Sequence, residues 1–170
     1  MMSCWHHVYM TSSRSPLTDL ILETFRLNGE LLSAGDKLVA DLQLTSARWQ
    51  VLGAIGMTSS ALPVAHIARN MGLSRQAVQR LVNELASQDF VRFAPNPHHL
   101  RAKLVMLTKR GRSVFDAAME RQGPWADDLA IDLLAADIET TVRVLRTLRG
   151  RLELQNDRTS KESRRVEEFA

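Results

Sequence analysis

Residues 74–88 sort by angle around a helix axis, and that pattern constrains the fold of this chain more than any other. At about 100° per residue from Arg75, the residues Arg75, Gln79, Asn83, Gln76 and Arg80 fall at roughly 0, 40, 80, 100 and 140°. Ala77, Leu81, Leu85, Val78 and Val82 take the opposite arc, at roughly 200 to 340°. One face packs; the other offers Arg, Gln and Asn, the side chains that make bidentate contacts with G or A edges in a major groove. An ordinary solvated face mixes Glu with Lys, whereas this one has no acid before Glu84. The flanks add to the pattern. Pro63 opens a shorter helix with Val64, Ile67, Ala68 and Met71 inward and Gly72 near its end, and Ser74 caps the polar-faced helix. Residues 90–94 and 102–107 have strand composition, and the two prolines between them, Pro95 and Pro97, exclude regular pairing and make a loop at a hairpin tip. Arg101 and Lys103 then project from the hairpin. A short helix, a small turn, a reading helix and a basic hairpin in succession predict a mainly α fold with a small β-wing, a winged helix-turn-helix.

Charge supports a phosphate-binding surface there. Residues 63–110 carry Arg69, Arg75, Arg80, Arg92, Arg101, Lys103, Lys109 and Arg110 against Glu84 and Asp89, a net of +6 in a chain of +3 overall. The single cysteine, Cys4, forms neither an internal disulfide nor a Cys-based zinc site, and the simplest reading is a reducing, cytoplasmic setting. No run of eighteen apolar residues and no leader pattern points to a membrane or to export. His6 and His7 lack the partners of a metal site, and no cofactor is expected.

Outside the lobe, Ser15 and Pro16 begin a long helix in which Leu17, Leu20, Ile21, Leu27, Leu31, Leu38 and Leu42 recur at helical spacing. Gly29 and Gly35 weaken its interior or admit a close helix crossing. Residues 45–55 read as a capped second helix with Trp49, Leu52 and Ile55 inward. Thr108 caps a further helix that Gly123 and Pro124 are expected to break or kink before residues 125–134. A last helix carries Ile138, Val142, Leu145, Leu148 and Leu152 in a stripe that needs a partner. The expected organisation is a tail at residues 1–14, dimerisation helices at 15–44 and 113–154, the DNA-binding lobe at 45–112, and a charged tail at 155–170, frayed or disordered.

At this point the chain resembles the MarR family of bacterial transcription regulators, over roughly residues 17–152. The most specific segment is Arg101-Ala102-Lys103-Leu104-Val105-Met106-Leu107-Thr108-Lys109-Arg110-Gly111, similar to the family's second wing strand and its Leu-Thr-x-x-Gly lead into the next helix. Residues 44–52 resemble the family's second helix, and residues 74–82 its recognition helix. Where the family's wing tip usually reads Asp-x-Arg, this chain has His99-Leu100-Arg101, so Arg101 inherits the minor-groove role while the bracing acid is replaced by His99. The resemblance implies a homodimer held by Leu17, Leu20, Ile21, Ile138, Val142, Leu145, Leu148 and Leu152, reading a pseudo-palindrome in double-stranded DNA. Ser74, Arg75, Gln76, Gln79, Arg80 and Asn83 would lie in the major groove, and His99, Arg101 and Lys103 would serve the wing. It also implies a repressor released by a small aromatic or phenolic ligand, for which Arg26, Arg48 and Trp49 are the candidates by position. Each has a plainer reading: Trp49 as core, the two arginines as surface cations.

Three rival readings make different demands on the residues. A thiol-based redox sensor of the same fold would use Cys4, which lies with Tyr9, the only tyrosine, in the expected N-terminal tail. An enzyme would need more than Asp127, Asp128, Asp132 and Asp137 at helical distances, which a solvated helix face explains. A winged helix used for protein contact alone predicts weak, salt-insensitive DNA association, contrary to the +6 segment.

Overall fold

The computed structural model describes residues 15–97, 99 and 101–168. Helix α1 (Pro16–Val39) begins where expected: Ser15 Oγ accepts the Thr18 N–H at 3.3 Å, and Pro16 occupies the first turn, where its missing N–H costs nothing. A single 3-10 turn, Ala40–Leu42, leads to α2 (Ser46–Gly56).

Gly35 fixes the crossing of these two helices. A Cβ there would lie 2.7 Å from Ser46 Oγ, so only glycine lets α2 start this close. Gly29, by contrast, has nothing within 4 Å. Asp36, beside the crossing, accepts the Ser46 N–H at 2.6 Å, and Thr45 Oγ1 accepts the Arg48 N–H at 3.3 Å. Two of the unpaired amides at the start of α2 are thus satisfied by side chains, one of them a charge at the favourable helix end. Asp36→Ala is expected to lower stability by about 1–2 kcal/mol, measured as a lower denaturant midpoint at constant slope. An unchanged midpoint would show that water serves the amide equally well.

The lobe continues with β1 (Leu62–Pro63), α3 (Val64–Met71), α4 (Arg75–Ser87), β2 (Val91–Ala94) and β3 (Leu104–Leu107). The three strands form one antiparallel sheet in the order β1-β3-β2, with Val91 opposite Leu107, Ala94 opposite Leu104, and Leu62 opposite Val105. Pro63, expected only as a helix opener, also closes the edge strand β1, where a residue without an N–H is tolerated. Both longer strands are shorter than their composition suggested. Val51, Leu52 and Ile55 of α2, Ile67 of α3, and Val78, Val82 and Leu85 of α4 meet Phe90 and Val105 in one core. Val51 was not among the residues expected to face inward on α2. Trp49 is only half-buried against that core.

Helix α5 (Lys109–Leu129) corrects two expectations. The lobe was expected to end at Arg112, but its core continues into Phe115 and Ala118, which are buried in it. The first compact unit, which also holds α1, runs to Pro124. Of the two outcomes expected at Pro124, a break or a kink, the break does not occur, because Pro124 lies inside a continuous helix. Proline removes one i→i−4 bond and crowds the preceding turn. Pro124 and Glu120, whose carbonyl loses its donor, are both exposed, so water can satisfy that carbonyl while the turns on either side keep their own bonds.

In the second unit, α5 ends at Leu129 rather than near Leu134, and Asp132 takes a positive φ of 63° in the turn to α6 (Ala135–Glu168). Of the two readings of residues 155–170, an extension of the last helix or a disordered tail, α6 takes the first and runs on to Glu168. That segment has no apolar period to announce a helix, but Glu, Lys, Arg and Gln propagate one cheaply once a nucleus exists upstream.

Candidate nucleic-acid interface

The Val78, Val82 and Leu85 side chains are fully buried, and each contributes about 1.5–3 kcal/mol to holding α4 in place. This fixes the roll of the helix, and with it the outward direction of the opposite arc. Gly72 takes the left-handed conformation that ends α3 (φ 66°), and Ser74 Oγ accepts the Ala77 N–H at 3.1 Å to start α4. Ser74 therefore has a structural duty at the site it was expected to serve. Arg75, Gln76, Arg80 and Asn83 are exposed, Gln79 half so, and together with Glu84 these residues line one shallow surface depression.

A second, longer groove joins that face to the wing. It is lined by Arg75 and Gln79 of α4, His66 of α3, Phe93 of β2, and Asn96, His99, Arg101 and Lys103 of the hairpin loop. Three permanent cations and two histidines meet there with no carboxylate among the described lining residues, which suits a polyanion. The hairpin tip is held by its own backbone: the His99 N–H donates to the Asn96 carbonyl at 3.2 Å, and the His99 carbonyl accepts from Ala102 N–H at 3.0 Å. His66 and Phe93 are the residues that sequence reading missed. Only the outward direction of His66 was legible, since it points away from Ile67 and Ala68 on a short amphipathic helix.

Other expected site residues do not converge. Arg26 is exposed and pairs with Glu23 at 3.3 Å, while Arg48 donates to Gln88 Oε1 at 3.3 Å. Neighbouring cations are also engaged: Arg110 lies over the Phe90 ring at 4.9 Å, and Arg112 donates to the Gly56 carbonyl at 3.2 Å. Asp127, Asp128, Asp132 and Asp137 are exposed. Among the described residues, no three His, Cys, Asp or Glu side chains are placed to hold a metal, and no helix is long and apolar enough to cross a membrane. Cys4, His6, His7, Tyr9 and the wing's Leu100 lie outside the described residues.

The profile of the MarR family matches residues 42–102, which contain α2 to the wing tip. An uncharacterized protein of Mycobacterium tuberculosis is 37% identical over 102 residues, covering 60% of this chain and 70% of the relative. The chain belongs to the MarR family. Members of this family are transcription regulators that bind DNA, and the mainly α fold with its three-stranded wing is the family's own. Among named relatives, the transcriptional activatory protein BadR of Rhodopseudomonas palustris is 29% identical over 99 residues, 57% of each chain. Two solved structures share the fold of this MarR-family chain. CouR of Rhodococcus jostii bound to p-coumaroyl-CoA superposes with a TM-score of 0.69 at 21% identity, covering 80% of this chain and 95% of that one. A mutant MarR of E. coli complexed with operator DNA gives 0.63 at 24%, covering 79% and 99%.

Proposed function

We propose that this MarR-family regulator acts in the cytoplasm as a homodimer. Each lobe sets α4 in a major groove and the wing in the adjacent minor groove of a pseudo-palindromic duplex, and the bound protein represses until a small aromatic or phenolic ligand releases it. The observation that carries the DNA-reading part is the continuity of the α4 face with a carboxylate-free, cation-lined groove reaching Arg101. Gln76, Gln79 and Arg80 set base preference, Asn83 and Arg75 flank them, and Arg101 gains from the negative potential of a narrow minor groove. The apolar stripes support the dimer: Leu17 and Ile21 on α1, and Ile138, Val142, Leu145 and Leu152 on α6, are large apolar side chains left exposed in the single chain, with Leu20 and Leu148 half-buried beside them. Phe25 extends the α1 stripe and is 71% exposed. The bound p-coumaroyl-CoA of CouR supports the ligand class, with Arg26, Arg48 and Trp49 retained as candidates.

The test is binding to a duplex enriched from a randomised pool, with single alanine variants of Gln76, Gln79 and Arg80. A side chain making a bidentate base contact should cost roughly 1–3 kcal/mol on removal and relax preference at one position per half-site. Arg101→Ala should instead weaken binding to enriched and scrambled duplexes alike. If all three α4 variants keep the parent's base preference, the helix does not read bases. Adding a panel of aromatic acids to the wild-type complex tests release, and affinity unmoved by every member would remove the ligand from the proposal.

A further inference from the structure

We infer that Glu84 is a positioning residue for Arg80, one that sharpens base selection by withholding that guanidinium from the DNA backbone. The inference rests on the DNA-reading function proposed above. Glu84 is the single carboxylate among the residues lining the α4 face, and its Oε1 lies 3.9 Å from Arg80 Nε, one helical turn behind. A parallel contact runs beside it: Gln79 Nε2 donates to Asn83 Oδ1 at 2.9 Å, in the same i to i+4 sense. Both expected readers of the second turn therefore have a partner on the turn that follows, Gln79 a hydrogen-bond acceptor and Arg80 a counter-charge.

The Arg80 and Glu84 side chains are 77% and 48% exposed, and an ion pair that open to water adds almost nothing to stability. Next to a duplex the balance changes. A guanidinium without a counter-charge is drawn to any phosphate, and phosphate contacts carry no sequence information. The carboxylate offsets that attraction by giving the guanidinium a counter-charge of its own. Because the contact is made at Nε, the two Nη groups remain, and these can donate to guanine O6 and N7. Arg80 is thereby less rewarded for a phosphate and still competent for a base. Specificity is the difference between those two outcomes.

The test measures the full chain on the enriched duplex and on a scrambled duplex of equal length, across a salt series. Glu84→Gln should free Arg80 for one more phosphate in each protomer, steepening the dimer's salt slope on scrambled DNA by about 1.8 and raising affinity roughly thirtyfold near 0.15 M salt. The enriched duplex should gain less, so the ratio between them falls. Glu84→Asp keeps the charge and should keep the wild-type slope. In an Arg80→Ala chain, Glu84→Gln should leave the slope where it was, since the group it restrains is gone. An unmoved slope and ratio in Glu84→Gln overturns the inference, as does equal steepening in the Arg80→Ala chain, which would make Glu84 a bare repelling charge. If the wild type binds neither duplex, the DNA-reading function itself fails and this inference falls with it.

Discussion

Gly111→Ala is expected to destabilise the lobe by more than about 3 kcal/mol, at or beyond the upper end of ordinary overpacking. A Cβ on Gly111 would lie on the Phe90 carbonyl, 1.8 Å from its oxygen and 2.7 Å from its carbon. Nothing there can give way cheaply. Phe90 is buried in the core, and its carbonyl accepts the Thr108 N–H at 3.1 Å. Thr108 Oγ1 in turn donates to the Asp89 carbonyl at 2.6 Å and accepts the Gly111 N–H at 2.9 Å. The Leu-Thr-x-x-Gly sequence is thus a clamp that seats the first turn of α5 on the strand end and fixes the base of the wing. Gly29→Ala is the control, because nothing lies within 4 Å of that position and alanine in a helix interior should stabilise by about 0.5–1 kcal/mol. Denaturant midpoints should therefore move in opposite directions, and a fall of similar size in both would contradict the steric account.

The second large effect is on assembly. Leu145 is 36% exposed on α6 and Leu148 half-buried beside it, a poor arrangement for an isolated helix and a good one for a seam. Each leucine is already about two-thirds or more buried in the single chain. Counted over both protomers, replacing both by Glu should therefore remove about 2–4 kcal/mol of burial from the proposed interface, roughly one to three orders of magnitude in dimer dissociation constant. Two carboxylates facing an apolar partner add to that cost. Sedimentation equilibrium gives the answer: the parent should run as a dimer and the double variant as a monomer. A double variant with the parent's mass would place the seam elsewhere.

How much of this was legible depends on how many residues carried each signal. Helix α4 was readable because a packed arc and a polar arc repeat over three turns, and caps such as Ser15, Thr45, Ser74 and Thr108 announce themselves by type. Strand β1 was not, since two residues have no period and Pro63 is equally at home before a helix. A break at Pro124 was expected because a local rule about one lost hydrogen bond was given more weight than the turns around it. The continuation of α6 past Gln155 was hidden for the opposite reason: the segment has no apolar period, and a polar sequence announces a helix only by propensity. The crossing at Gly35 was named as one of two possibilities for its glycine, and contact with Ser46 selects it. Long-range juxtapositions were out of reach. No pattern along the chain brings His66 of α3 into the same groove as His99 and Arg101, because that depends on how α3 packs against a sheet closed some forty residues later.

The central claim, that paired α4 and wing surfaces read duplex DNA, is tested most directly by selecting bound sequences from a randomised duplex pool with the intact protein. Two lobes reading one DNA face predict enrichment of a pseudo-palindrome whose half-sites are centred about one helical turn, roughly 34 Å, apart. Recovery of sequences with no shared half-site, bound equally well at low and high salt, would contradict it.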